Sequence, residues 1–182
     1  MSATSLDMTQ VRWHSRGGQG GMTASQLLAE TAFEAGRQAT AFSFYGAERR
    51  GAAVASFNRI SEEPIKLYSR VTHPDVVVVL DETLVDVESV TDGLEDDGTL
   101  IINSADPDVD FGGTVMAVDA TDIAVAHDLT ADGTPLVNTA MLGAVAAAGL
   151  VDVDDVDDVV ASEFDETNAT AVREAYERTE EV

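Results

Sequence analysis

The chain has 182 residues, of which 34 are Asp or Glu and 10 are Lys or Arg, so its formal net charge is -24. Because 45% of the residues are hydrophobic, the composition can bury one sizeable core and is unlike that of disordered chains. The absence of cysteine excludes disulfides, thiolate catalysis and an iron–sulfur cluster ligated by this chain. Ten scattered cations also exclude a basic face for nucleic acid.

The distribution of charge favours a folded protein adapted to high salt. Lys66 is the only lysine, and the acidic residues are spread along the chain instead of forming one tail. At about 1 M ionic strength the Debye length falls to roughly 3 Å, so repulsion among surface carboxylates is largely screened. We therefore expect a halophilic source, a haloarchaeon. A cytoplasmic location is expected, since residues 1–10 do not resemble a signal peptide and no apolar run could span a bilayer.

The first part of the chain is predicted to contain strands and one helix. Residues 1–8 are expected to form a flexible tail. Apolar residues at helical spacing predict a helix from about Thr23 to Ala35, which Gly36 ends. A loop rich in glycine precedes it over residues 15–22. Strands are predicted over residues 9–14, 38–43, 53–60 and 65–69, the last two paired around a turn at Pro64.

The second part alternates between strands and helices. Val76–Leu80 is continuously apolar and β-branched, which indicates a strand covered on both faces. Further strands are predicted over residues 99–103 and 114–119, and helices near residues 83–93 and over 121–129, 138–148, 154–164 and 167–180. This alternation predicts one α/β domain over residues 9–182, a three-layer α/β/α sandwich with a mostly parallel or mixed sheet.

The first segment that could carry chemistry is Arg16-Gly17-Gly18-Gln19-Gly20-Gly21, between a strand and a helix. Glycines let a backbone approach a ligand closely, and unpaired N–H groups at a helix start attract anions. Thr23 can cap the helix or donate to a phosphate oxygen. A tight turn without a ligand is the alternative. A dinucleotide site is disfavoured, because Thr23 stands where a third glycine belongs and no acidic residue ends the second strand.

The second segment is Gly46–Ala52, which follows the second strand and contains the adjacent cations Arg49 and Arg50. Guanidinium groups bind phosphate through paired hydrogen bonds, so these arginines favour an anion site. The alternative is that they pair with Glu48 or another of the many carboxylates.

The third segment, Pro135–Gly143, carries no catalytic signature of its own. Asn138 is expected to cap the following helix, and the alanine-rich helix with Gly143 indicates a close helix or subunit contact. No metal site is expected: the acidic run Asp152–Asp158 lacks the glycine and closing glutamate of an EF-hand. The three histidines are interpreted as structural, since they lie on different elements without metal-ligand spacing.

Together these segments resemble a known family. R-G-G-Q-G-G, Y-G-A-E-R-R-G-A, V-V-V-V-L-D and P-L-V-N-T-A-M-L-G-A resemble, in this order, the gamma subunit of 2-oxoacid:ferredoxin oxidoreductases, over roughly Val11 to Tyr176. The E-R-R-G-A form is similar to pyruvate or branched-chain members. The resemblance implies oxidative decarboxylation of a 2-oxoacid with coenzyme A, giving an acyl-CoA such as acetyl-CoA, carbon dioxide and reduced ferredoxin.

The resemblance also implies which subunits hold the cofactors of this reaction. Thiamine diphosphate and the iron–sulfur clusters belong to partner subunits, ferredoxin is an indirect partner, and this chain is not catalytic alone. Its implied role is to help bind coenzyme A and to assemble with those subunits. A purely structural interface subunit and, less favoured, an independent nucleotide-binding oxidoreductase module stay open. The candidate coenzyme A contacts are Gly17, Gly18, Gln19, Gly20, Thr23, Arg49 and Arg50.

Overall fold

The computed structural model describes residues 8–44 and 51–182. These residues form a seven-stranded mixed sheet, a two-stranded hairpin and five α-helices. The strands are β1 (Met8–Arg16), β2 (Gln38–Phe44), β3 (Ala53–Ser61), β4 (Val76–Val79), β5 (Thr99–Asn103), β6 (Thr114–Val118), β7 (Thr130–Ala131), β8 (Thr134–Pro135) and β9 (Glu180–Glu181). The helices are α1 (Gly21–Glu34), α2 (Ala120–Ala126), α3 (Asn138–Ala147), α4 (Val153–Glu163) and α5 (Glu166–Arg178), with a 3-10 helix at Glu82–Leu84.

The large sheet has the order β2-β3-β1-β4-β5-β6-β9. Strands β1, β4, β5 and β6 run parallel to one another, whereas β3 is antiparallel to both β1 and β2, and β9 is antiparallel to β6. The chain leaves β1 towards one edge of the sheet and leaves β4 towards the other. The order therefore reverses between β1 and β4, and their carboxyl ends flank a crevice.

All five helices pack on one face of the sheet. Their buried residues form a single cluster with sheet residues such as Trp13 and Val78. Helix α3 is buried along most of its length, and a Cβ on Gly143 would overlap the carbonyl oxygen of Val172 in α5. The predicted close contact at Gly143 is therefore confirmed as a contact between two helices of this chain.

The opposite face of the central strands is covered without α-helices. A second cluster joins β4–β6 to Leu84, Val90 and Leu94 of the segment after β4. The predicted helix near residues 83–93 is wrong, because only Glu82–Leu84 is helical and turns follow. The carbonyls of Val90 and Asp92 accept hydrogen bonds from the buried guanidinium of Arg12, at 2.8 and 2.6 Å, so a distant side chain satisfies them.

The predicted strand at residues 65–69 is also wrong. Residues 62–75 carry no helix or strand. The guanidinium of Arg59, only 1% exposed, donates to the carbonyls of Leu67 at 3.4 Å and Ser69 at 2.8 Å. Those carbonyls are thus satisfied by a side chain of β3, and no partner strand is needed.

The α/β class and the mixed sheet are confirmed, but the second helical layer of the predicted three-layer sandwich is replaced by segments without α-helix. The remaining predicted elements agree to within two residues except at the end of α2, which stops three residues early. Sequence patterns missed the β7–β8 hairpin around Asp132-Gly133 and the short strand β9. Met8 belongs to β1, and the rest of the predicted tail lies outside the described residues. None of the described helices is long and apolar enough to cross a membrane.

Candidate functional site

The glycine loop, residues 16–20, lies at the carboxyl end of β1, beside the crevice. Gly18 and Gly20 have φ values of 97° and 83°, a region that side chains rarely adopt. A Cβ on Gly20 would lie 2.7 Å from Nδ2 of Asn138, so a larger residue there would displace the start of α3. The loop conformation therefore requires glycine at position 20 for two separate reasons.

Asp81, directly after β4, organises the loop. Its Oδ2 accepts hydrogen bonds from Gln19 Nε2 at 2.8 Å and from Arg16 Nε at 3.2 Å. Its Oδ1 accepts from the backbone N–H of Thr83, whose hydroxyl oxygen in turn accepts from Arg16 Nη2 at 2.7 Å. Burial raises the pKa of Asp81, but the hydrogen bonds from Thr83 and Gln19, together with the Arg16 charge, outweigh this and hold the pKa below its ordinary value. Asp81 is thus ionised and neutralises Arg16.

Two of the predicted contacts have their polar groups satisfied within the protein. Gln19 also accepts from the backbone N–H of Arg16 at 2.7 Å, so both ends of its amide are bound. The N–H of Gly17 donates to Ala52 O at 2.9 Å, and Gly17 O accepts from the N–H of Gly51 at 3.2 Å. In contrast, the N–H groups of Gly18 and Gly20 donate to no residue among those that the structure describes.

Two helix N-termini meet at this loop. Gly20 is the N-cap of α1 and Val137 that of α3, and neither helix has a side-chain cap or an acidic residue in its first turn. The expectation that Asn138 caps its helix is therefore wrong, since Asn138 is the first residue of α3. Of the two roles considered for Thr23, capping is excluded, since Thr23 is the third residue of α1. Helix N-termini carry a partial positive charge, which favours an anion.

The other helices make the contrast clear. An aspartate caps each of α2, α4 and α5 and accepts a backbone N–H in the first turn (Asp119, Asp152 and Asp165). In a chain with 34 acidic residues, the first turns of α1 and α3 thus contain no carboxylate, and the carboxylate at the loop, Asp81, is paired with Arg16. Asn138 covers Gly20 there. It is only 7% exposed, and its side chain forms no hydrogen bond within residues 8–44 and 51–182.

A cleft of about 260 Å³ opens beside the loop at the ends of β4 and β5. Gln19, Asp81 and Val137 form part of its wall, with Asn103 and Thr121 opposite. Asn103 Nδ2 donates to Leu80 O at 2.9 Å and to Thr121 Oγ1 at 3.0 Å, which ties β4, β5 and the start of α2 together. The volume is near the lower limit of ligand pockets, so the cleft suits one part of a larger molecule.

Sequence reasoning missed the roles of Asp81, Thr83, Asn103 and Thr121. A usable signal exists, because Asp81 and Asn103 end two apolar, parallel strands, and side chains at such ends converge at one edge of a sheet. Arg49 and Arg50 lie outside the described residues. The next residue along the chain, Gly51, is hydrogen-bonded to the glycine loop, and Arg16 Nη1 donates to Gly51 O at 3.3 Å.

The described residues contain no group of three His, Asp or Glu side chains that could hold a metal ion. The three histidines lie apart. His14 accepts from Arg12, His127 contacts Glu174 at 2.7 Å, and His73 contacts the adjacent Thr72. None of these contacts involves the glycine loop.

Comparison with known proteins decides the family. Residues 10–178 match the family model described as pyruvate ferredoxin/flavodoxin oxidoreductase. The chain belongs to this family. It is 45% identical to the pyruvate/ketoisovalerate oxidoreductases common subunit gamma of Pyrococcus furiosus, over 95% of this chain and 98% of that protein. It is 46% identical to the pyruvate synthase subunit PorC of Methanothermobacter thermautotrophicus, over 96% and 98% of the two chains.

A solved structure supports the same family relationship. Pyruvate oxidoreductase subunit PORC of Thermotoga maritima superposes with a TM-score of 0.84 and 38% identity, over 95% of this chain and 97% of that chain. These relatives are single subunits of oxidoreductases and match the chain almost from end to end. The predicted relationship to the gamma subunit of 2-oxoacid:ferredoxin oxidoreductases is therefore confirmed.

Proposed function

We propose that this chain is the gamma-type subunit of a cytoplasmic, pyruvate-class 2-oxoacid:ferredoxin oxidoreductase and helps to bind coenzyme A. Thiamine diphosphate and the iron–sulfur clusters would be held by partner subunits, from which electrons pass to ferredoxin. The contribution of this chain is binding and orientation of the thiol-bearing substrate.

The observation that carries the proposal is that α1 and α3 meet at N-termini whose first turns contain no acidic residue and no side-chain cap. Coenzyme A bears a pyrophosphate and a ribose phosphate, so a protein of net charge -24 needs a local region of positive potential to bind it. Two helix N-termini without acidic residues supply such a region, and the N–H groups of Gly18 and Gly20 add donors.

The arginine pair supports the same site. Since Asp81 neutralises Arg16, a full positive charge has to come from elsewhere. Arg50 precedes Gly51 by one peptide bond, and Gly51 is bound to the glycine loop. Arg49 and Arg50 are therefore proposed to bind phosphate, with Gly18, Gly20 and Thr23 as neighbouring contacts. Gly17 and Gln19 are proposed to hold the loop in shape.

The test uses the assembled complex. Hydrogen bonds to charged groups contribute about 1.5–3 kcal/mol each, so Arg50→Ala should raise the KM for coenzyme A roughly 10- to 150-fold and leave the KM for the 2-oxoacid unchanged. Arg173→Ala is the matched control, because Arg173 is exposed and pairs with Asp154 and Asp157, away from the glycine loop. If Arg50→Ala leaves both constants unchanged while the complex dissociates in gel filtration, the arginines serve the interface alone.

A glycine pair tests the loop independently of the arginines. Gly20→Ala should raise the KM for coenzyme A, because the new Cβ would push Asn138 away from the start of α1. Gly36→Ala is the matched control, since Gly36 also has a positive φ and nothing within 4 Å of the added Cβ, but follows the far end of α1. Equal effects of the two variants on this KM would assign them to backbone strain and would argue against a binding role for the α1–α3 meeting point.

A further inference from the structure

The segment between β3 and β4 carries exposed side chains on a fixed backbone. Its carbonyls at Leu67 and Ser69 bind the buried Arg59. Tyr68 is nevertheless 81% exposed and Leu67 is 47% exposed. Since hydrogen bonds to a buried group already order this backbone, binding through these side chains would lose little further backbone entropy.

Two cations of this segment lack the partners that other surface arginines have. Arg173 and Arg178 each bind two carboxylates. Neither Lys66 nor Arg70 forms an ion pair with any residue in the described part of the chain. Arg12, Arg37 and Arg59 form no ion pair with a described residue either, but each donates to a backbone carbonyl. Lys66 and Arg70 donate to no carbonyl in the described part of the chain, which sets them apart.

Lys66, Leu67, Tyr68, Arg70 and Phe44 together form one surface, here named the Tyr68 patch. The Arg70 guanidinium lies 4.3 Å from the centroid of the Phe44 ring, which joins the segment to the end of β2. A cleft of about 160 Å³ adjoins the patch, between Phe44, Arg70 and Glu88. Tyrosine and arginine are enriched in protein interfaces, whereas lysine is depleted, which suits Lys66 to the rim of a contact.

We propose that the Tyr68 patch docks a different subunit of the oxidoreductase. The surface of that subunit would carry a pocket for Tyr68, with carboxylates around it that pair with Lys66 and Arg70. This rests on the proposed function, because it presupposes a complex. A different subunit is favoured over a second copy, since a two-fold contact of the patch with itself would place Lys66 and Arg70 opposite the same two cations of the other copy. The two cations would fix the orientation of the bound subunit, and the side chains of Tyr68 and Leu67 would supply the apolar contact area.

The chain offers a direct test, because Lys66 is its only lysine. A zero-length carbodiimide reagent joins an amine to a carboxylate in contact with it. Applied to the purified complex, it should give a cross-linked peptide that contains Lys66 and an Asp or Glu of another subunit, and Lys66→Arg should abolish this product. Acetic anhydride should modify Lys66 at least about tenfold more slowly in the complex than in the isolated chain, since an ion pair with a carboxylate favours the protonated, unreactive amine.

A second measurement separates the contact from overall folding. Tyr68→Ala should weaken association with the partner subunits about 10- to 100-fold, as expected for a central aromatic contact. Phe33→Ala is the matched control, because Phe33 is 66% exposed on α1 at the helix-covered face. Complexes assembled at high protein concentration should keep the wild-type KM for coenzyme A, so loss of this contact is distinguishable from failure of the proposed coenzyme A site.

Three outcomes would overturn the proposal. Lys66 could react equally fast in the complex and in the isolated chain, which would leave the patch exposed in the assembly. The cross-link could join Lys66 only to a copy of this chain, which would make the patch a self-contact. Tyr68→Ala could also assemble with wild-type affinity, which would show that the aromatic side chain contributes no binding.

Discussion

The two faces of the sheet are covered by different kinds of interaction. On one face five helices satisfy their own backbone groups and bury apolar, mostly small side chains such as those of α3. On the other face, segments without α-helix cross the strands, and two buried arginines, Arg12 and Arg59, donate to their carbonyls. A helix needs only an apolar stripe to be buried, whereas an irregular segment also needs hydrogen-bond donors. The arginines supply these donors.

The largest expected effect is the loss of Arg59. Arg59→Met keeps the aliphatic stem but removes the donors to Leu67 and Ser69, so the free energy of unfolding should fall by about 3 kcal/mol. Urea denaturation measures this change. Arg70→Met, in the same region but exposed and bonded to no carbonyl, should cost less than about 1 kcal/mol. A similar loss of unfolding free energy in both variants would show that burial of the arginine does not decide its contribution to stability.

Acid should lower the free energy of unfolding through His14, which accepts a hydrogen bond from the buried Arg12. Burial, and then the Arg12 charge, lowers the pKa of His14 from 6.5 to about 4. The unfolded chain therefore binds the proton first, and stability should decrease as the pH falls from 6.5 towards 4, by up to about 3 kcal/mol. His14→Gln should flatten this part of the stability curve, with His73→Gln as the control for loss of a histidine. Parallel wild-type and His14→Gln curves would contradict the prediction.

The helical face should be most sensitive to added volume. Gly143→Ala places a Cβ against the carbonyl oxygen of Val172, so α3 and α5 must separate, at a cost of about 2 kcal/mol. Gly112→Ala is the matched control, because the nearest atom to its Cβ is Asp96 Oδ1 at 3.7 Å. Thermal unfolding compares the two variants, and a stabilised Gly143→Ala protein would show that the helices are not in close backbone contact.

Salt should have the smallest and most general effect. Raising potassium chloride from about 0.1 M to above 1 M screens the repulsion within a chain of net charge -24 and should raise the melting temperature by roughly 2–4 °C per kcal/mol gained. Both faces should benefit, because the acidic side chains are spread over the surface. A flat or falling melting temperature would contradict the expectation of a halophilic source.

Regular elements and the glycine loop could be predicted because their signals are local. The continuous β-branched run of β4 and the helical apolar spacing of α4 and α5 each lie within one element. The order of the motifs also identified the family. Capping was predicted less well. The side chain of Asn138 covers Gly20 instead of capping its own helix, and Gly20 lies 118 positions away in the sequence.

What the sequence determined by itself was the α/β class, the position of the glycine loop between β1 and α1, and the relationship to the gamma subunits. The tertiary structure alone decided that residues 65–69 and 83–93 are irregular, that Asp81 neutralises Arg16, and that two uncapped helices meet at the loop. The physical reason is the range of the interactions. Periodicity reports on neighbours within a few residues, whereas Arg12 reaches a carbonyl 78 residues away and Arg16 a carboxylate 65 residues away, so only the folded chain brings these partners together.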